Sequence, residues 1–310
     1  MAQHHRSFNT STSWTDRIEF LAQARLVEQN LPDEEYQPQS LPSYAALLLF
    51  GKVAAIERNA SFFETIVMAD GQHLSMRKNI IESVRELCVG DSSILRSYVP
   101  WVPGDVLKEL VVNAYIHRCY RTPSPVIIEV AQWGLEIRSP SELLTGLNIN
   151  NLIHGVPVYR NLLLADGARF CGLCDKIGQG IDLIFKGILS SGLGFPEFES
   201  GNNLFVARIP RDGSDHFREF LRKRSEALSQ LDEIIVLRLL WAKPIVGLGE
   251  ICARMQRKRD FAERALNEMC KKGMIERDDD VYRLTGTVRQ DIETVFQSDQ
   301  LTLDEPMWGT

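Results

Sequence analysis

The sequence predicts an α/β (α+β) fold, a sheet covered by helices on one face, followed by a compact module of three helices and a hairpin. Three observations carry the prediction. An amphipathic helical pattern over 105–117 runs into a hairpin pattern over 126–137. A glycine loop, Gly178-Gln-Gly180, opens a second helical stretch, and the apolar strand Leu204-Phe-Val-Ala-Arg-Ile209 follows it. Beyond Leu231 apolar residues recur at helical spacing until Gly273 interrupts them.

Residues 1–42 read as a leader and linker. Within them 15–29 is an expected helix, with Ile18, Leu21, Ala22 and Ala24 on one face, and 32–42 is proline-rich. Residues 44–50 form a short buried element. Residues 62–68 read as a strand, Asp70-Gly71 as a turn, and 74–88 as a helix. Asp105 is the expected N-cap of a helix over 106–117. Strands at 126–131 and 135–137 flank the turn Gln132-Trp-Gly134, and a helix at 181–189 precedes the strand at 204–209. The expected domains are an N-terminal seam at 43–100, the sheet domain at 101–212, a helical linker at 213–230, the compact module at 231–290 and an acidic tail at 291–310.

A chain of 310 residues holds two or three domains. Its 44% hydrophobic and 25% charged residues are those of a soluble globular protein, and a net charge of -6 excludes a chain-wide basic field. Any nucleic-acid contact must then sit on a local patch. Six dispersed cysteines and no signal-like apolar start predict free thiols in a reducing cytoplasm. The longest apolar run, at 44–51, is too short to span a membrane. Cys171-Gly-Leu-Cys174 lacks the second pair of a structural zinc site, so two packed thiols are the better reading.

Glu109 and Asn113 stand four residues apart, and so lie one turn apart on one helix face, with His117 continuing the stripe. Leu107, Leu110, Val111 and Ala114 take the other side. An amide oxygen can ligate Mg²⁺, and a carboxylate one turn away can orient or deprotonate a water. A solvated polar face on an ordinary amphipathic helix gives the same spacing. Lys176-Ile-Gly-Gln-Gly-Ile181 brings Gly178, Gln179 and Gly180 to a helix N-terminus, which suits an anion; a plain glycine turn reads the same way.

The order of these pieces resembles the GHKL ATPases, and more closely the GHKL-like domain of RecG-like bacterial proteins labelled transcriptional regulators, in which an Alba-type (Schlafen-related) domain usually comes first. Lys108-Glu-Leu-Val-Val-Asn-Ala-Tyr-Ile-His-Arg-Cys-Tyr120 is similar to that group's helix motif. Tyr159-Arg-Asn161, Ile177-Gly-Gln-Gly-Ile181 and Gly192-Leu-Gly-Phe-Pro196 follow in the group's order, and Ser43-Tyr-Ala-Ala-Leu-Leu-Leu-Phe-Gly-Lys52 is similar to the seam closing its Alba-type domain. The resemblance covers about 43–210. It implies a Bergerat sandwich that binds ATP with Mg²⁺. Glu109 would be the general base and Asn113 the Mg²⁺–phosphate ligand, with His117, Lys176, Gly178, Gln179 and Gly180 around the phosphates. The group's adenine-binding stretch is replaced here by Arg138-Ser-Pro-Ser141, where Ser139 is the remaining candidate to hydrogen-bond a base. The Alba-type domain is essentially absent, and no Gly-x₄-Gly-Lys-Ser/Thr loop supports helicase activity.

In the C-terminal module, helical patterns at 232–241, 247–255 and 259–272 precede a hairpin about Asp278-Asp-Asp280. The order resembles a winged helix-turn-helix domain, and Leu266 to Ile275 matches that family's pattern at the end of its third helix. The resemblance implies contact with double-stranded DNA through Arg257, Lys258, Arg259 and Arg264. Asp260, Glu263 and Glu268 dilute that charge, so a protein-docking or dimerisation role is the competing reading. Three functions follow: an ATP-responsive DNA-binding regulator acting as a homodimer, an ATPase in a defence or repair assembly, and a scaffold that has lost ATP.

Overall fold

The computed structural model describes residues 26–29, 40–174, 179–224, 230–292 and 294. The expected helix at 15–29 lies outside them up to residue 25. Its end is instead the strand β1 (Val27–Gln29), antiparallel to β2 (Ser40–Pro42) within the expected linker. Helix α1 (Tyr44–Phe50) buries Ala45, Ala46, Leu48 and Leu49, and α2 (Val53–Asn59) follows.

Strand β3 (Thr65–Ala69) alternates buried and half-buried residues, the period of a sheet with one covered face. Asp70 and Gly71 then take φ of 50° and 73°. Two consecutive positive φ values make a tight hairpin turn, so the chain returns at once as β4 (Gln72–Met76). The expectation of a helix from Leu74 is therefore corrected. That helix, α3 (Ile80–Cys88), waits for Asn79, whose side-chain oxygen accepts from the Glu82 N–H at 2.9 Å.

A short helix α4 (Ile94–Tyr98) leads to α5 (Gly104–Ile116). Its N-cap is Pro103 rather than Asp105. Proline at the cap lacks an N–H to satisfy, and Asp105 sits in the first turn, where its carboxylate accepts from Val106 N–H and favours the positive end of the helix. Strands β5 (Val126–Ala131) and β6 (Gly134–Ser139) form the expected hairpin. After helix α6 (Leu162–Phe170) come α7 (Gly180–Ser190), β7 (Glu197–Gly201) and β8 (Leu204–Pro210).

Among the described residues the chain forms two compact units. The first takes residues up to 146, with 156–180 and 197–208. Its six-stranded mixed sheet has the order β4-β3-β5-β6-β8-β7, with β3 and β5 parallel. One sheet face buries Thr65, Val67, Val126, Ile128, Leu135 and Ile137. Helix α5 lies on it. Ser139 Oγ donates to Ala114 O at 2.7 Å, and the Thr65 and Tyr115 hydroxyls bond at 2.8 Å. Gly167 lets α6 approach α1, for a Cβ there would stand 2.7 Å from Leu49 Cδ1.

The second unit takes 147–155, 181–196 and the described residues from 209 onward. The polar stretch expected to reach Gln230 is helical only as α8 (Asp215–Lys223), capped by Ser214; residues 225–229 lie outside the description. Helix α9 (Leu231–Ala242) buries Ile234, Ile235, Val236, Leu237, Leu239 and Leu240. Then come β9 (Val246–Gly247), α10 (Leu248–Met255), α11 (Arg259–Lys271), β10 (Ile275–Asp278) and β11 (Val281–Leu284). These strands form a three-stranded antiparallel sheet ordered β10-β11-β9, one strand more than the expected hairpin. Gly273, at φ 68°, ends α11. No helix of the described residues is long and apolar enough to cross a membrane.

Candidate functional site

Helix α5 turns Leu107, Leu110, Val111 and Ala114 into the core and leaves Glu109 and Asn113 half-buried on its other side. The two meet as the four-residue spacing requires: Asn113 Nδ2 donates to Glu109 Oε1 at 3.0 Å. The amide donates through its nitrogen, so its oxygen is the atom that could accept a cation.

Gly180, the first residue of α7, closes over this pair. A Cβ there would lie 2.0 Å from Glu109 Oε1 and 3.3 Å from Asn113 Nδ2. With Glu109 and Asn113 placed as they are, a side chain here would displace the carboxylate, so glycine lets this helix N-terminus come close to the pair. The fold thus brings three expected site residues, Glu109, Asn113 and Gly180, into one place. Gln179 beside them is exposed. Lys176 and Gly178 lie outside the described residues.

His117 ends α5, its ring stacked on Tyr159 with centroids 5.4 Å apart and planes 14° from parallel. Burial, then the nearby Arg160 charge, pushes its pKa down to about 4, so the ring is neutral at pH 7 and can donate and accept without adding charge. Its neighbour Cys119 is lowered too, first by the Thr122 hydroxyl.

Ser139 does not join the site as a contact for a base. It is 3% exposed and its hydroxyl is directed to Ala114 O, tying β6 to α5. Sequence spacing cannot show this, since a strand-end serine reads the same whether it faces a ligand or a helix. The Cys171 thiol is pushed up to about 12, by burial and then by Cys174. Among the described residues no group of three His, Cys, Asp or Glu could hold a metal ion.

Three supporting residues escape the sequence reading in these roles. Lys108 Nζ donates to Gly172 O at 2.9 Å, anchoring the end of α6 on α5. Asn161 Nδ2 donates to Ile116 O at 2.9 Å and Arg118 O at 2.7 Å, occupying carbonyls that the end of α5 leaves open. Arg118 is 1% exposed and donates to Phe62 O, Thr122 O and Ser124 O, which fixes the loop between α5 and β5. A charged side chain is almost never this buried without partners, but a sequence does not show which carbonyls will surround it.

The four basic residues of the C-terminal module are differently placed. Arg257 donates to Asp232 Oδ2 at 2.8 Å. Arg259 donates to Glu263 at 3.1 Å and Asp280 at 2.9 Å. Arg264 donates to Asp260 O at 3.2 Å and lies over the exposed Phe261 ring at 4.5 Å. Arg257 and Lys258 precede α11, Lys258 being its N-cap residue. Two of the four expected basic residues, Arg257 and Arg259, are therefore paired with carboxylates of their own unit.

Residues 124–209 match the family model described as "Putative ATP-dependent DNA helicase recG C-terminal", which marks an ATPase-like domain of mixed α/β architecture. The match begins after α5, so Glu109 and Asn113 lie ahead of it. Among solved structures the chain is similar to the DIP2311 protein from Corynebacterium diphtheriae, with a TM-score of 0.68 and 21% sequence identity over 89% of this chain and 58% of that one. The likeness is one of fold, and this chain spans 58% of that protein's length. No curated protein matches.

Proposed function

We propose that the ATPase-like domain binds Mg-ATP at the junction of Glu109, Asn113 and Gly180, and that the C-terminal helices and three-stranded sheet form a winged helix that contacts double-stranded DNA. The protein would then be a nucleotide-dependent, DNA-associated regulator, with its nucleotide part at 101–212 and its winged helix at 231–290. The observation that carries the reading is the closeness of the Gly180 backbone to the hydrogen-bonded Glu109–Asn113 pair.

The donor set fits the ligand. A carboxamide and a carboxylate are hard oxygen donors of the kind that Mg²⁺ takes alongside phosphate oxygens. The first turn of an 11-residue helix carries N–H groups with no partner inside the helix, which suits an anion. Mg²⁺, when bound, would neutralise phosphate charge. In this assignment Asn113 holds the ion through its amide oxygen, Glu109 orients a water and takes its proton, and neutral His117 supports the end of the same helix. The base-recognising half of the site is not supplied by Ser139, so affinity would rest on the phosphates.

A second reading keeps the nucleotide site and makes the C-terminal module a protein-docking surface. The pairing of Arg257 with Asp232, and of Arg259 with Glu263 and Asp280, favours it over DNA contact. The test of the first claim is calorimetric titration of Mg-ATP into the wild-type protein and Asn113→Ala. The reading expects saturable binding that the substitution abolishes. A folded wild-type protein that takes up no Mg-ATP would leave a scaffold. Salt-dependent binding to a DNA duplex then separates the regulator from the docking module.

A further inference from the structure

Segment 147–155 and the C-terminal helices belong to one compact unit, and polar groups join them. Gln256, which ends α10 in the left-handed conformation at φ 53°, reaches this segment with both atoms of its amide. Its Nε2 donates to Ile149 O at 3.0 Å, and its Oε1 accepts from Ile153 N–H at 2.9 Å. Next to this hold, His154 Nε2 lies 3.1 Å from Met255 O, a carbonyl that only accepts, and 3.7 Å from Asp232 Oδ1. Ile153 itself is buried.

Four groups of this unit face one another from four segments. His154 comes from 147–155, Asp182 from α7, Asp232 from α9 and Arg257 from the turn between α10 and α11. Arg257 donates to Asp232 Oδ2 at 2.8 Å. Lys186, one turn along α7 from Asp182, is exposed. Asp182 Oδ1 and Asp232 Oδ1 are both buried, and neither has a hydrogen-bond partner. Buried acceptors are ordinarily satisfied, so this pair needs an account. Charge supplies one. Two carboxylates face one permanent cation, so with His154 neutral the cluster carries one negative charge too many. A further proton balances the charge and turns a carboxylate oxygen into a donor. Burial comes first among the causes that raise the Asp182 pKa, and the Asp232 charge adds to it, while His154 and Arg257 pull the other way.

We infer that this cluster is a proton-linked latch: closing 147–155 onto the C-terminal helices takes up one proton, held at Asp182, and opening the segment releases it. Closed, Asp182 holds its proton more tightly than in water. The latch is therefore at full strength below the ordinary carboxylate range, about pH 4, and loosens as pH rises through the raised Asp182 value. The Gln256 amide and the carbonyls it meets do not titrate, so they supply a hold that pH leaves alone. A segment fastened by a few polar contacts opens locally, without global unfolding. The latch lies wholly within the second unit and does not depend on the nucleotide reading.

Hydrogen exchange at the Ile153 amide reports the opening, because its N–H is the one that Gln256 accepts. The experiment follows that amide in the full chain between about pH 4 and 8, each rate taken relative to an unstructured peptide at the same pH. Wild-type protection should fall as pH rises, by up to about tenfold per pH unit for one proton. Asp182→Asn, a neutral amide of the same size, should keep Ile153 protected and flatten the dependence. His154→Gln retains a donor for Met255 O and should keep the dependence. Gln256→Gly suits the left-handed backbone while deleting the amide, and should lower protection about two- to tenfold at every pH with the slope unchanged. Flat wild-type protection overturns the inference. So does a slope that survives in Asp182→Asn, or one that vanishes in His154→Gln and so places the proton on the histidine. Unchanged protection in Gln256→Gly overturns it as well, because the amide would then not hold the segment. A thermal melt shows whether each variant folds. Should Asp182→Asn not fold, the wild-type slope and its survival in His154→Gln decide.

Discussion

In the first unit an acid and an amide on one helix face bond to each other beside a backbone that has no side chain. In the second, Arg257 and Arg259 bond to carboxylates of their own unit. Both sets are charged or polar residues at the right place in a recognisable motif. The difference lies in what a ligand must displace. Glu109 and Asn113 bond to each other beside a helix N-terminus, where a Mg-phosphate group is proposed to bind. At Arg257 and Arg259 a phosphate must first compete with Asp232, Glu263 or Asp280. A basic motif is therefore a weaker guide to binding than the partners its cations already hold.

The sharpest way to break the comparison is Glu109→Gln. The substitution keeps the size and one oxygen but removes the base. The nucleotide reading expects Mg-ATP binding to persist while turnover in a phosphate-release assay falls by roughly 10²- to 10⁴-fold. Equal turnover in the variant would return Glu109 to an ordinary solvated face.

The next effect is a pH dependence at the end of the same helix. His117 is held near 4 in the folded protein, against an unperturbed value near 6.5. A depressed histidine stabilises the fold fully above the unfolded value. That stability drains as pH falls from about 6.5 to about 4, because the unfolded chain takes the proton first. Up to about 3 kcal/mol is at stake. Urea melts of the wild type and His117→Gln between pH 7 and 4 should converge as pH falls, and parallel curves would show a histidine that titrates normally.

Gly180→Ala comes third. The new methyl group meets Glu109 Oε1 and forces the carboxylate off Asn113. The end of the flexible Glu109 side chain can swing aside, so the fold survives and the loss falls on the site: Mg-ATP affinity by calorimetry should drop roughly two- to tenfold, about 1 kcal/mol. Undiminished binding would mean that Gly180 does not adjoin the phosphates. The last two effects are in the second unit. Arg257→Ala takes the partner from a mostly buried Asp232 carboxylate and should lower stability in chemical denaturation by about 1–3 kcal/mol. Arg259→Ala breaks pairs that are well exposed and should leave the denaturation midpoint nearly unchanged. An equal loss at both positions would show that the Arg257–Asp232 pair is as solvated as the surface pairs.

Legibility differed between elements for identifiable reasons. The β5–β6 hairpin and α11 were plain, since each has an unbroken period and a turn residue at its end. The Asp70-Gly71 turn was visible, but its consequence, a returning strand at 72–76, was hidden because Leu74 is followed by a helix-like pattern. Most of β4 is exposed, so no alternation of apolar residues announced it. In the site, Glu109 and Asn113 could be paired from spacing because a helix fixes i to i+4 neighbours. Ser139 could not be placed, because its partner on α5 is 25 residues away.

What the sequence by itself determined is local: which stretches become helix or strand, and that Glu109, Asn113 and His117 share one helix face. Those follow from periods of 3.6 and 2 and from turn chemistry within a few residues. Only the tertiary structure decided that Gly180 sits against Glu109, that Ser139 faces a helix, and that Arg257 and Arg259 are already paired. Each of those depends on packing between residues far apart in the chain, where side-chain identity states what a group can bond to but not which group arrives beside it.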